Sequence, residues 1–292
     1  MILKSYVLAI ALACVVATPV SAAHGRARHH AATTTEPAAT RLNLKSSSVL
    51  VLDQQGGQPL YQKNTEAVVP IASITKLMTA MVVLDAELPL DHTIAISDAD
   101  VDGLKHTRSR LSIGTALRRD EMLRLALMAS ENRAAASLAR NYPGGLHAFV
   151  GAMNRKALEL GMMRTHFVDS TGLSSDNVST ASDLAKMVQA AYRYPAIREY
   201  TTSTSYSVSD RRGRRIEYRN SNGLVKSRHW RIGLSKTGYI SEAGRCLVML
   251  AWIAAKPVVI VLLDSWGKQT RIGDANRIRK WIESELAGRF PG

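Results

Sequence analysis

Ser73 and Lys76 stand three residues apart in Ser73-Ile-Thr-Lys76, with Pro70 just upstream. On a helix that spacing puts both side chains on one face, one turn apart. A serine hydroxyl is a weak nucleophile until a base takes its proton. A lysine kept neutral in a dry site is such a base. A helix beginning at the serine also points its positive end at the charge that develops during attack. The chemistry expected is acyl transfer through a serine ester. The pattern S-x-x-K alone arises by chance roughly once in a chain this long. A second copy, Ser265-Trp-Gly-Lys268, follows a predicted strand and runs into a polar loop, with no helix starting at its serine.

Two further motifs fit the same chemistry. Ser130-Glu-Asn132 follows Ser73 by 57 residues and falls between two predicted helices. Its serine can relay a proton to a leaving amine, and its asparagine can hydrogen-bond a substrate amide. Ser175-Asp-Asn177 has the same pattern, but lies in a Gly- and Ser-rich loop where Asn177 reads as a turn residue. Lys236-Thr237-Gly238 is the one K-[ST]-G of the chain and sits within a predicted strand. Its lysine adds positive potential and, with Thr237, can hold a carboxylate. A glycine inside a strand lets another backbone, such as a substrate's, come close.

The elements that must position these residues follow from periodicity and punctuation. A β-hairpin turned at Gly56-Gly57 comes first. Helices are predicted over 74–87, apolar nearly all round and so buried, then 120–128, 133–140, 147–161 and 180–192. Strands follow at 203–209, 214–218, 233–240, 245–254 and 258–264, and a last helix at 271–286. A hairpin, a run of helices, several antiparallel strands and a helix together predict an α+β domain. The N-terminal hairpin would join a sheet completed by the C-terminal strands.

The chain has 292 residues, with 46% hydrophobic, 21% charged and 5% aromatic side chains. This is a globular composition with too few rings for a single-strand nucleic-acid platform. Net charge is +14, which suits a polyanionic partner such as a carboxylate-rich polymer. The Lys and Arg residues are scattered and carry no nucleic-acid signature, so no nucleic-acid partner is expected. Lys4, the apolar run 6–17 and Val20-Ser-Ala22 predict a secretory signal peptide over 1–22 and a periplasmic protein. Residues 23–45 read as a flexible lead-in, and 46–288 as one catalytic domain. His29-His30 lacks further ligands at ordered spacing, so no metal or other cofactor is expected. Once Cys14 leaves with the signal, Cys246 stands alone in an apolar run and reads as a core residue.

The three motifs, in this order and in these elements, are the signature of β-lactamases and penicillin-binding proteins. The segments 165–173, 218–225 and 235–249 extend the likeness. Over about residues 46–288 the chain resembles the D-alanyl-D-alanine endopeptidase branch of the low-molecular-mass penicillin-binding proteins. The resemblance implies a five-stranded antiparallel sheet flanked by helices, plus a helical lobe, with the cleft between. It implies Ser73 as acylated nucleophile, Lys76 as base and Ser130 as proton relay. Asn132, Lys236, Thr237 and Gly238 would bind substrate, the N–H groups of Ser73 and Tyr239 would form the oxyanion hole, and Arg245 would reach a substrate carboxylate. The implied partners are peptidoglycan stem peptides, with β-lactams as covalent inhibitors. Glu159 comes nearest to the deacylating glutamate of class A β-lactamases, but Met163 replaces the asparagine that should follow it. The chain ends soon after its last predicted helix, so neither a second domain nor a stable membrane anchor is expected. That favours the endopeptidase over the D-alanyl-D-alanine carboxypeptidase. A catalytically slow wall-binding protein needs neither Ser73 nor Lys76.

Overall fold

The computed structural model describes residues 42–288. The expected signal peptide, Cys14 and His29-His30 lie outside the described residues. In chain order the elements are β1 (Ser46–Asp53), β2 (Pro59–Lys63), β3 (Val69–Pro70), α1 (Lys76–Asp85), β4 (Thr93–Ala95), β5 (Ala116–Arg118), α2 (Arg119–Arg124), α3 (Asn132–Arg140) and α4 (Gly145–Glu159). Then come β6 (Val178–Ser179), α5 (Ala181–Ala191), α6 (Pro195–Thr202), β7 (Ser205–Ser209), β8 (Arg215–Arg219), β9 (Arg231–Ile240), β10 (Gly244–Ile253), β11 (Lys256–Ser265) and α7 (Thr270–Gly288).

Five strands form one sheet in the order β2-β1-β11-β10-β9, with every neighbouring pair antiparallel. The N-terminal hairpin thus joins the C-terminal strands, as the sequence predicts. β10 and β11 are apolar almost without a break because both faces of the sheet are covered. Period two divides their side chains. Leu247, Met249, Ile260 and Leu262 pack with Ile278 and Ile282 of α7. Val248, Leu250, Val259 and Val261 join the cluster that holds α1 and α5. Burying each such aliphatic side chain favours folding by about 1.5–3 kcal/mol. The fold also takes up the end of the expected lead-in. Leu44 is buried beside α7, and the Lys45 and Ser46 amides donate to the Asp274 carboxylate.

Several boundaries differ from expectation for local reasons. The predicted helix 74–87 begins as a 3-10 turn, Ala72–Thr75, before α1. The predicted helix 120–128 is α2 followed by one π turn, Leu125–Ala129. α6 was not anticipated, since it spans only eight residues and Pro195 at its first turn is its one punctuation mark. Among the described residues no helix is long and apolar enough to cross a membrane.

Candidate active site

Ser73 sits on the 3-10 turn that feeds α1, half-exposed at its surface. The residue before it, Ala72, is buried with φ of +48°, a left-handed conformation that costs a non-glycine residue about 1–2 kcal/mol. Two glycines hold this turn. A Cβ on Gly172 would lie 2.0 Å from the Ala72 carbonyl oxygen. One on Gly238 would lie 2.9 Å from the Ile71 oxygen and 3.2 Å from the Ser73 nitrogen. The backbone that Gly238 admits is the nucleophile turn of the protein itself.

Lys76 opens α1 and is fully buried. Its ammonium donates to Ser73 Oγ at 2.9 Å, Asn132 Oδ1 at 2.7 Å and the Thr171 carbonyl at 2.6 Å. Burial drives its pKa down to about 7, against the opposing pull of Asp169, then Glu131 and Asp102. A lysine in this state is close to half neutral at neutral pH, within hydrogen-bond reach of a serine hydroxyl. The Thr171 carbonyl is aimed by its loop. Asp169 accepts from Thr171 N, Thr171 Oγ1 and Gly172 N through Oδ1, and from Ser174 N through Oδ2. Asn177 pins the loop from below, accepting from Val168 N and donating to Thr75 Oγ1.

The second wall comes from the α2–α3 junction. The π turn ends on Ser130, whose φ of +62° and ψ of +33° are left-handed. Ser130 Oγ accepts from Lys236 Nζ at 2.8 Å, which ties the helical lobe to edge strand β9. Asn132 Nδ2 donates to Thr107 Oγ1 at 2.9 Å, and that hydroxyl donates to Asp102 Oδ2 at 2.7 Å. This chain fixes the amide so that its oxygen faces Lys76. Burial of Asp102 opposes its ionisation, but the Lys105 and Thr107 amides and the Thr107 hydroxyl outweigh it and hold the carboxyl at about 2. Lys105 of the same loop pairs with Glu242 on the β9–β10 turn.

The third wall is β9. Lys236 is fully buried and also donates to the Thr237 carbonyl at 2.9 Å. Burial lowers its pKa well below the ordinary lysine value, and the charges of Lys76 and Arg271 add to this. Thr237 Oγ1 donates to Ser221 Oγ at 2.7 Å. Behind the strand Arg271 Nη1 donates to the carbonyls of Gly238 and Cys246. Ser73, Lys76, Ser130, Asn132, Lys236 and Thr237 thus line one cleft, and a serine ester can form there beside its base.

The chain matches the family model of peptidase S11, D-alanyl-D-alanine carboxypeptidase, over residues 31–267. It belongs to this family of serine D-alanyl-D-alanine peptidases. It is 50% identical over 249 residues to a D-alanyl-D-alanine endopeptidase of Pseudomonas aeruginosa, covering 85% of this chain and 80% of that protein. A protein of the same name from Escherichia coli K12 is 46% identical over 247 residues, covering 84% and 80%. The crystal structure of the Streptomyces K15 DD-transpeptidase superposes with a TM-score of 0.75 at 28% identity, covering 82% of this chain and 97% of that one.

The remaining candidates of this DD-peptidase fall outside the cleft. Arg245 faces Tyr239 across the β9–β10 ladder and stacks on its ring, 4.4 Å from the centroid. Ser265 of the second S-x-x-K is buried and donates to Thr270 Oγ1 at 2.7 Å, while Lys268 lies in solvent. Glu159 is exposed and lies 3.7 Å from Lys156. Burial raises the Cys246 thiol to about 11, which leaves it inert in the core. Sequence reasoning missed Thr107, Thr171, Ser221 and Arg271. Only Asp169-Ser-Thr-Gly172, an acid followed by a glycine at turn spacing, carries a local signal.

Proposed function

We propose that this DD-peptidase is a periplasmic endopeptidase that opens D-alanyl–meso-diaminopimelyl cross-links in peptidoglycan through an acyl-enzyme on Ser73. The Ser73–Lys76 pair carries the reading: a buried lysine with a pKa of about 7 lies 2.9 Å from the serine oxygen. Ser73 Oγ attacks the D-alanyl carbonyl carbon, and its proton passes to neutral Lys76. The N–H groups of Ser73 and Tyr239, brought to one rim by Gly238, receive the oxyanion. The C–N bond breaks as Ser130 passes a proton to the leaving amine. Water then hydrolyses the ester. Asn132 holds the donor amide.

A carboxylate on the leaving side meets Lys236 and Thr237, with Arg271 behind. Arrival of that charge restores the proton that burial disfavours on Lys236. The acidic stem peptides of the polymer match a chain of net charge +14. The signal over residues 1–22 supports export, and residues 46–288 form the catalytic domain.

The test is covalent labelling. A fluorescent penicillin should leave a persistent label on the mature chain and none on Ser73→Ala. An unlabelled wild type with the drug intact would exclude the acyl-enzyme. The family model bears the name of the carboxypeptidase, so digestion of purified muropeptides must decide the bond. Loss of cross-linked dimers marks the endopeptidase. Release of terminal D-alanine with dimers intact marks the carboxypeptidase.

A further inference from the structure

β9 has a second side. Tyr239 follows Gly238 directly, so its backbone borders the Ser73 turn, and the residue, 56% exposed, also lines a separate cavity of about 250 Å³. Arg245, Trp266 and Lys268 line the same cavity. Trp266 is 76% exposed, on a loop shaped by left-handed Asp264 and Gly267. Trp266 and Tyr239 thus set two largely exposed aromatic side chains beside one cavity, a contact area of the kind that suits a ligand with an apolar face. Arg245 and Lys268 have no ion-pair partner among the described residues. Neither nearby acid forms an ion pair with them. Glu242 is paired with Lys105 and accepts from Ser241 Oγ, and the Asp264 carboxylate lies against Gly244. The cavity wall is thus aromatic and cationic, with no carboxylate lining it.

We infer that this cavity is a subsite for a peptide-bearing glycan strand of peptidoglycan. The inference rests on the cell-wall reading of the Ser73 cleft and extends it to the polymer around the scissile bond. The flat, CH-rich face of a pyranose packs against the exposed indole of Trp266. Aromatic rings give such contact area at little conformational cost. Stem-peptide carboxylates meet Arg245 and Lys268, with charge-assisted hydrogen bonds available to the guanidinium. The cavity is smaller than a pocket for a whole drug-sized ligand, and fits one ring or one acidic branch of a longer chain. Its position supplies the continuity: a strand leaving the cleft past Tyr239 enters it next. Arg245 therefore acts on the polymer outside the cleft, rather than on the carboxylate beside the scissile bond.

Trp266→Ala and Lys268→Glu, singly and together, test the subsite, with Trp266→Phe as the conservative variant. Each mature chain is co-sedimented with purified intact sacculi, labelled with fluorescent penicillin, and given a cross-linked peptide freed of glycan. The expected result is a rise of about tenfold in the apparent Kd for sacculi in the double variant. Trp266→Phe should keep most of the binding. Penicillin labelling and cleavage of the glycan-free peptide should stay at wild-type rates. Sacculus binding within about twofold of wild type in the double variant overturns the inference. So does a parallel loss of penicillin labelling, because the effect would then lie in the fold or the Ser73 cleft. Failure of the wild-type chain to take up penicillin would instead strike the Ser73 reading, and leave the Trp266 dependence of sacculus binding to stand or fall by itself.

Discussion

Replacing Asn132 by aspartate changes one atom type at the centre of the site. Asn132 Oδ1 lies 2.7 Å from Lys76 Nζ, so the variant sets a full negative charge at that distance. At an effective dielectric of about 20 the attraction is about 6 kcal/mol. One pH unit corresponds to about 1.4 kcal/mol, so the new charge is large enough to reverse the whole effect of burial. Lys76 would return from about 7 to its ordinary 10.5 or above. Its neutral fraction at pH 7 would fall from about one half to about one in three thousand. The acylation rate with a fluorescent penicillin should fall about a thousandfold at pH 7 and recover only as the pH approaches 10. Asn132→Ala is the control, since it removes the acceptor and adds no charge. Its rate should fall, but the rise with pH should stay centred near 7 or lower. Stopped acylation reactions between pH 5 and 10 supply both profiles. If Asn132→Asp keeps a midpoint near 7, ionisation of Lys76 does not limit acylation and the assignment of the base is wrong.

Two other outcomes follow from the same contacts. Thr107→Val removes the acceptor for Asn132 Nδ2, and should slow acylation about tenfold without moving its pH midpoint, while Thr107→Ser restores it. Burial lowers the Lys76 pKa, so above pH 7 the unfolded chain binds the proton that the folded chain has released. Stability should therefore rise with pH, by about 1.5 kcal/mol between pH 7 and 8.5 from Lys76 alone, with Lys236 adding in the same direction. Urea unfolding checks this: the slope should shrink in Lys76→Met, and a wild-type stability that is flat or falls over the interval would refute it.

The fold was largely legible because its sheet is written in long, nearly unbroken apolar runs. Cys246–Ala251 and Val258–Leu263 are buried on both faces, which leaves little ambiguity between strand and loop. The three motifs were legible because each needs a fixed spacing within one element. What escaped are partners that act through the backbone or from distant loops. The Thr171 carbonyl has no side-chain signature. Thr107 meets Asn132 across 25 residues and Ser221 meets Thr237 across 16, separations at which no periodicity operates. The role given to Gly238 was half legible. A close backbone approach was foreseen, but which backbone depends on Gly238 packing against the turn at Ala72. Arg245 was legible as the residue opposite Tyr239, but its stacking on that ring depends on side-chain packing that no spacing encodes.

The place of β11 in the sheet has a consequence for how the protein comes into being. β11 lies between β1 and β10, and Ser47 Oγ donates to the Asp264 carbonyl across 217 residues of chain. The first strand synthesised finds its inner partner only when nearly the whole chain exists. Contacts this remote in sequence form late and slowly. A nascent chain lacking β11 has no strand between its N-terminal hairpin and the β9–β10 pair. The sheet whose edge strand carries Lys236 is therefore complete only when the last strand has been made.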